Sequence, residues 1–364
     1  MRVRNRLTSF QHGVLIIGAL IANGIFSLPR VAAQDAGRSA WVVVAFAGLV
    51  LLIVALLSNR LASYFPEEDP AGWGLRLMGP IVGRVWLLLY FLKCCFFIVL
   101  TMRIFAAIIT NRMLMHTPSS VLAGIVLLLS VLAAVIGISG LARFAEISFM
   151  VWLPFMLLVV ATLLRGHLFH LQPVIGDTDL SALLAGAKSA SFSFAGFDIL
   201  LFSYPHLEKP QNSARAVFWA MVFVTAIYTL TTVAALAFFG VEHLTRLLVP
   251  TLVMLSIAET SVIERFDSLA LFMWLGMVVV TSGTQLYMGT RLIQGLIPKA
   301  NFEKTAVFLG AFLLVSTWGE TPLRRLITFA DYFGTFDILF VTLSAVLLLP
   351  LAYFVNKRER RLGR

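Results

Sequence analysis

Long apolar stretches follow one another along the chain, with only short polar segments between them. Of the 364 residues, 60% are hydrophobic and 13% are charged, and the mean hydropathy is +0.93. These values lie outside the range of soluble globular domains. Because a spanning helix needs about 20 mostly apolar residues, the pattern predicts an all-α membrane protein with ten transmembrane helices. We place them at 8–31, 38–62, 82–111, 118–138, 141–165, 180–204, 213–239, 267–297, 305–318 and 333–356.

The formal net charge of +10 sets the expected topology of the chain. Its basic residues are spread over the loops and one short tail, without the aromatic-studded basic domain typical of nucleic-acid binding, so no nucleic-acid partner is expected. With the N-terminus inside, most Lys and Arg residues fall on the inner side, which predicts that both termini are cytoplasmic. The first stretch ends at 26–30 without a small-residue cleavage site and is interpreted as a retained span.

Two of the apolar stretches contain a glycine turn at corresponding positions. The first turn is Ala22-Asn23-Gly24-Ile25 and the second is Phe192-Ser193-Phe194-Ala195-Gly196-Phe197-Asp198. About half of the chain separates them, which predicts a single membrane domain (1–364) of two five-span repeats, about 8–165 and 180–356, followed by a basic tail at 357–364. An odd number of spans per repeat inverts the second copy, and paired broken helices indicate a small-ligand site at mid-membrane.

An unwound turn is tolerated at membrane depth only where it is buried in protein or faces a polar cavity. The free N–H groups of the half-helix that begins near Ile25 could bind a carboxylate, and carbonyls of the second turn could accept from an ammonium group. A small-residue packing face is the alternative for the first turn. The candidate ligand-binding residues are Ala22, Asn23, Gly24, Ile25, Phe192, Ser193, Phe194, Ala195, Gly196 and Phe197.

Charged residues inside apolar stretches are candidates for gating or proton coupling, because they are costly in lipid. Asp198 could pair with a basic residue, carry a proton or cap the half-helix that follows it, and we favour capping with a gating or proton role. Lys93 could take the place of a bound metal cation, while Lys188 could extend to the outer surface. Glu146 is a candidate partner for Arg143 or part of a cytoplasmic gate.

Hydroxyl side chains at mid-depth of the eighth stretch form a candidate cation site. Thr281, Ser282 and Thr284 could bind a hard cation together with carbonyls of the first stretch. They could equally donate to carbonyls of their own helix, which is the interpretation we favour. His167 and His170 lack a third ligand, so no metal site is expected. No catalytic motif occurs, so neither an enzyme nor a cofactor is predicted.

The two turns also carry a family resemblance. The first resembles the Gly-Ser/Thr-Gly-Ile turn of the amino acid/polyamine/organocation permeases, and the second their FxFxGFE/D turn. Within that superfamily the chain resembles the B subunit of bacterial spore germinant receptors, over nearly its whole length. The segments that carry this narrower resemblance are Gln11, 24–30, 36–41, 64–66, 172–174, 239–242, 249–251 and 264–267 with Trp274.

The resemblance implies a LeuT-type fold with broken first and sixth helices and a germinant pocket between them. It also implies an amino acid or similar germinant, a position in the lipid of the spore inner membrane, and assembly with two other subunits, one A-type and one C-type lipoprotein. Asn23 in place of the commoner Ser or Thr, and the presence of Lys188, leave the ligand class open. A secondary amino acid transporter, coupled to protons or cations, is the alternative function.

Overall fold

The computed structural model describes residues 6–22, 24–172, 180–257 and 266–361, and these are almost entirely helical. One isolated parallel bridge joins Leu7 to Leu207. The helices are α1 (Ser9–Leu20), α2 (Gly24–Ala36), α3 (Ala40–Ala62), α4 (Pro70–Arg112), α5 (Ser119–Val135), α6 (Ile138–Ala161), α7 (Leu180–Ser189), α8 (Ile199–Ser203), α9 (Ser213–Leu244), α10 (Pro250–Ile257), α11 (Phe266–Leu296), α12 (Phe302–Leu314) and α13 (Leu323–Arg361).

Within the described ranges, six helical segments are long and apolar enough to cross a membrane. They are Gly24–Ala62, Pro70–Arg112, Ile138–Val160, Pro210–Leu244, Ser268–Leu296 and Leu323–Lys357. Their outer faces expose large apolar side chains, among them Phe272 and Leu347 with 70% and 62% of their surface exposed. In a water-soluble protein most large apolar side chains are buried. We therefore expect these exposed side chains to face lipid.

The ninth predicted span, 305–318, differs most from the structure. Its counterpart α12 has 13 residues and is followed by a 3₁₀ turn at Val315–Thr317. At 1.5 Å per residue this helix is about 20 Å long, shorter than the roughly 30 Å hydrocarbon core. The total of ten spans therefore stays a prediction.

Both predicted helix interruptions are present. The helix α1 ends at Leu20 and α2 begins at Gly24. The helix α7 ends at Ser189, and a 3₁₀ turn at Ser191–Phe194 leads towards α8. Glycines with positive φ also bend α4 at Gly79 and α9 at Gly240, where only glycine adopts the backbone conformation without strain.

The broken helices lie at the centre of the bundle. The helix α1 packs against α6, α9 and α11, and α8 packs against α1, α3 and α11. The helix α13 packs along α4 and against the 3₁₀ turn of the second interruption. The short helix α10 packs against α2 and α11. This arrangement surrounds both interruptions with side chains from distant parts of the sequence.

Candidate ligand site

The two interruptions are in direct contact. A Cβ placed on Gly24 would lie 2.4 Å from the Cα of Ser193, and one placed on Gly196 would lie 2.7 Å from the carbonyl oxygen of Ala19. Gly196 also has a φ of +109°, which an L side chain rarely adopts. Glycine is thus required on both sides of the contact, for space at Gly24 and for space and conformation at Gly196.

The predicted ligand-binding residues that the structure describes are all buried. Phe192 is the most accessible, with 7% of its surface exposed, and Asn23 lies outside the described residues. The glycine Gly334 of α13 closes the site from a third side, because a Cβ there would lie 2.4 Å from the Cα of Phe192. The structure brings the predicted residues together in a tightly packed conformation.

The hydroxyl of Tyr228, on α9, links the two interruptions. Its oxygen lies 2.9 Å from the carbonyl oxygen of Leu20 and 2.9 Å from that of Ser193. A phenol has a single proton to donate, so it can satisfy only one of these carbonyls at a time. The other carbonyl is left able to accept a hydrogen bond from a ligand.

Two further side chains donate to carbonyls of the first interruption. The indole Nε1 of Trp274 lies 3.2 Å from the carbonyl oxygen of Ala22. The hydroxyl of Thr251, on α10, lies 2.9 Å from the carbonyl oxygen of Ile25. That carbonyl has no partner in its own helix because Pro29, four residues later, has no N–H. Side chains from α10 and α11 thus replace missing helical hydrogen bonds.

The candidate cation site shows hydroxyls that donate to carbonyls. The Thr281 hydroxyl lies 2.8 Å from the carbonyl oxygen of Gly18 and 3.1 Å from that of Met277. The Thr284 hydroxyl lies 2.7 Å from the carbonyl oxygen of Thr281. The Ser282 hydroxyl is buried and has no hydrogen-bond partner among the described residues. This pattern matches the favoured interpretation, in which the hydroxyls satisfy backbone groups, and a cation site here stays a prediction.

Asp198 is part of a buried cluster of charges. Its Oδ2 forms an ion pair with the ammonium of Lys93, on α4, and accepts a hydrogen bond of 2.7 Å from the hydroxyl of Tyr90. Lys93 Nζ also lies 2.9 Å from Oδ1 of Asp337, on α13. The capping interpretation of Asp198 is wrong, since its side chain makes no capping hydrogen bond to α8. The carboxylate instead ties the second interruption to α4.

The other two charged candidates lie away from this cluster. Glu146 is half-buried and accepts a hydrogen bond of 3.2 Å from Nε2 of Gln11, at the start of α1. The hydrogen-bond partner of Glu146 is therefore Gln11, whereas Arg143 is exposed. Lys188 is exposed at the end of α7. Glu146 thus connects α6 to the first broken helix, and a gating role stays a prediction.

A buried histidine forms a polar contact that the sequence did not indicate. His12 lies inside α1 with none of its surface exposed. Its Nδ1 is 3.0 Å from the hydroxyl of Ser203 and its Nε2 is 3.2 Å from that of Ser213. Ser213 in turn donates to Oδ1 of Asn59. The network joins α1, α3, α8 and α9. It lies at the ends of α1 and α8 that are farthest from the interruptions.

Residues 6–325 match the model of a family described as spore germination protein. The chain belongs to this family. Spore germination protein YndE of Bacillus subtilis (strain 168) is 26% identical over 285 residues, which cover 76% of this chain and 77% of the relative. Spore germination protein GerQB of Bacillus cereus is 24% identical over 270 residues, covering 71% and 72%.

Matches to spore germination proteins also extend over nearly full length. Spore germination protein A2 of Bacillus subtilis (strain 168) is 21% identical over 367 aligned residues, which cover 98% of this chain and 97% of the relative. The resemblance to spore germinant receptor B subunits is thereby confirmed.

A solved structure identifies the architecture. The crystal structure of MhsT in complex with L-phenylalanine superposes with a TM-score of 0.65 and 14% sequence identity, over 95% of this chain and 97% of that one. At this identity the likeness concerns the fold alone. This chain is therefore an all-α, multi-pass membrane protein with a LeuT-like fold.

Proposed function

We propose that this protein is the ligand-sensing membrane subunit of a spore germinant receptor, which binds a small germinant such as an amino acid between its broken helices and triggers germination. Family membership and the LeuT-like fold support this proposal. The observation that carries it is the contact of the two interruptions around Tyr228, whose one hydroxyl faces two backbone carbonyls.

The proposed ligand lies with its two charged ends on the two interruptions. Its carboxylate meets the free N–H groups at the start of α2, around Asn23, Gly24 and Ile25, at the positive end of the helix dipole. Its ammonium meets the carbonyls around Ser193, whose own carbonyl is free when the Tyr228 hydroxyl donates to Leu20. The buried ring of Phe194, whose centroid is 5.1 Å from that of Tyr228, walls the apolar part of the ligand together with Phe197.

The proposed signal is a change in how the two interruptions pack. In the structure Gly24 touches Ser193, so a ligand that enters between them has to separate the half-helices. It shifts the conformational equilibrium only by as much as its affinities for the two states differ. Two further subunits, an A-type subunit and a C-type lipoprotein, would pass this change on within the spore inner membrane. The ten-span inverted-repeat topology with both termini cytoplasmic belongs to the same proposal.

Substitution of Gly24 tests this site. In spores that carry the variant receptor, Gly24→Leu should abolish the germinant dose response, because its side chain would overlap Ser193. The matched control is Gly13→Ala on α1, where the added Cβ would lie 3.5 Å from the nearest atom, an ordinary contact. Immunoblots of the membrane fraction establish that both variants are present, and Gly24→Ala replaces the leucine variant if that is absent. An unchanged dose response in a Gly24 variant would refute the site.

A secondary amino acid transporter, coupled to protons or cations, is the second candidate function. The buried ion cluster of Lys93, Asp198 and Asp337 favours it, because Asp198 directly follows the second interruption. Vesicles reconstituted with the purified chain alone and supplied with labelled amino acids distinguish the two functions. Accumulation of label favours transport. No accumulation, together with loss of germination on deletion of the gene, favours sensing.

A further inference from the structure

The ion cluster beside the second interruption holds an unbalanced charge. Lys93, Asp198 and Asp337 all have fully buried side chains, with 0% of their surface exposed. With every group ionised, one ammonium faces two carboxylates and the cluster carries one net negative charge. An uncompensated charge without access to water is strongly disfavoured. The cluster therefore calls for one further positive charge.

Within the part of the chain that the structure describes, the surrounding titratable groups do not supply that charge. Those that act on the cluster are Tyr90, Lys93 and Cys94 from α4, Asp198 before α8 and Asp337 from α13. Of these groups Lys93 is the one that carries a positive charge when protonated. The histidine of α1, His12, faces Ser203 at the far end of α8. The compensating charge has to come from solution.

The two carboxylates differ in the hydrogen bonds that they accept. Asp198 Oδ2 accepts from both Tyr90 and Lys93, so two donors face its charge. Asp337 has fewer donors: its Oδ1 lies 2.9 Å from Lys93 Nζ, and its Oδ2 has no hydrogen-bond partner among the described residues. A proton added to the cluster is therefore accommodated best on Asp337.

We propose that Lys93, Asp198 and Asp337 form a proton-binding site, in which one proton resides on the carboxyl group of Asp337 while the two interruptions are packed together. The proton is exchanged with water as Asp337 changes between carboxylic acid and carboxylate. The site is mechanically connected to the interruptions at two points. Asp198 follows Gly196 and Phe197 directly, and Asp337 lies one turn of α13 beyond Gly334, which contacts Phe192. The proposal concerns the ligand-free protein and does not depend on which germinant is bound.

Infrared spectroscopy of the purified full-length protein at pH 7 tests the site without any ligand. The spectrum should contain the C=O stretch of one buried protonated carboxyl group, identified by its shift in D₂O. Asp337→Asn should remove this band. Asp198→Asn should remove it as well, because Asp337 is then balanced by Lys93 and ionises. Each variant tests the assignment of the band by itself, so one is sufficient if the other fails to fold.

The matched control is Glu242→Gln. Glu242 is exposed and paired with Arg246, so its loss should leave the band unchanged. Absence of the band from the wild type, or its persistence in Asp337→Asn, would overturn the proposal. Spectra recorded in choline chloride and in sodium chloride distinguish a proton from a metal cation. A band of equal amplitude in both salts supports a proton, whereas a band lost in sodium chloride alone would show that the site takes sodium and would overturn it.

Discussion

The phenol of Tyr228 stands between Leu20 and Ser193, at 2.9 Å from each carbonyl oxygen, and so joins the two broken helices by one side chain. Both carbonyls lie next to helix interruptions, and Tyr228 is fully buried. A buried carbonyl that loses its donor costs about 1–3 kcal/mol. The tyrosine hydroxyl therefore holds the interruptions in register and also limits how many acceptors stay free for a ligand.

Removal of that hydroxyl should weaken the protein. We expect Tyr228→Phe to lower the free energy of unfolding by about 1–3 kcal/mol, because two buried carbonyls share the lost donor. Thermal unfolding in detergent measures this change. Tyr332→Phe is the control, since Tyr332 has 72% of its surface exposed and its variant should unfold within about 0.5 kcal/mol of the wild type. Equal stability of Tyr228→Phe and the control would contradict the role assigned to the bridge.

The contact between Thr251 and Ile25 predicts a second effect. Pro29 leaves the Ile25 carbonyl without a helical donor, and Thr251 supplies one from α10. Thr251→Val keeps the shape of the side chain but removes the hydroxyl, so it should destabilise the protein by about 1–3 kcal/mol. In Thr231→Val, the control, the lost hydroxyl had donated to Ile227 within its own helix. If both variants unfold at the same temperature, the Pro29 explanation fails.

The sequence predicted the membrane class and both interruptions because their signals are local. Long apolar runs indicate the spans. Gly24 and Gly196 indicate the turns, because glycine tolerates the backbone conformations of an unwound turn. The partners that complete the turns carry no such signal. Tyr228 and Trp274 are ordinary residues of apolar stretches, and only the packing of helices that are distant in sequence brings them to Leu20 and Ala22.

The charge cluster had a partial signal. Lys93 and Asp198 are candidates because they are charges inside apolar stretches, and Asp337, which is missing from those candidates, carries the same signal in the stretch 333–356. Pairing could not be inferred, because a charge within a span can be satisfied by a neighbour, by water or by a helix end. The capping interpretation of Asp198 followed from its position beside Gly196, and the ion pair with Lys93 replaced it.

The close approach of Gly334 to Phe192 predicts an effect on the second interruption. An added methyl would lie 2.4 Å from both the Cα and the backbone nitrogen of Phe192, so the backbone has to shift. Overpacking of this kind costs about 1–3 kcal/mol. We expect Gly334→Ala to raise the germinant concentration that gives half-maximal germination, with the protein still present in the membrane. Gly124→Ala, whose Cβ would lie 3.5 Å from Leu314, should respond as the wild type does.

The ion pair between Lys93 and Asp198 predicts a strong coupling between their substitutions. Lys93→Met leaves the buried Asp198 carboxylate without its cation, and breaking a buried pair in this way costs about 3–5 kcal/mol. The double variant Lys93→Met with Asp198→Asn removes this stranded charge, so it should regain a large part of the lost stability. A double-mutant cycle of unfolding in detergent measures the coupling, which should reach the upper part of the 0.5–3 kcal/mol range found for contacting residues, about 2–3 kcal/mol. Additive effects of the two substitutions would mean that the two side chains do not interact in the folded protein, because non-interacting sites contribute independently to the free energy of unfolding.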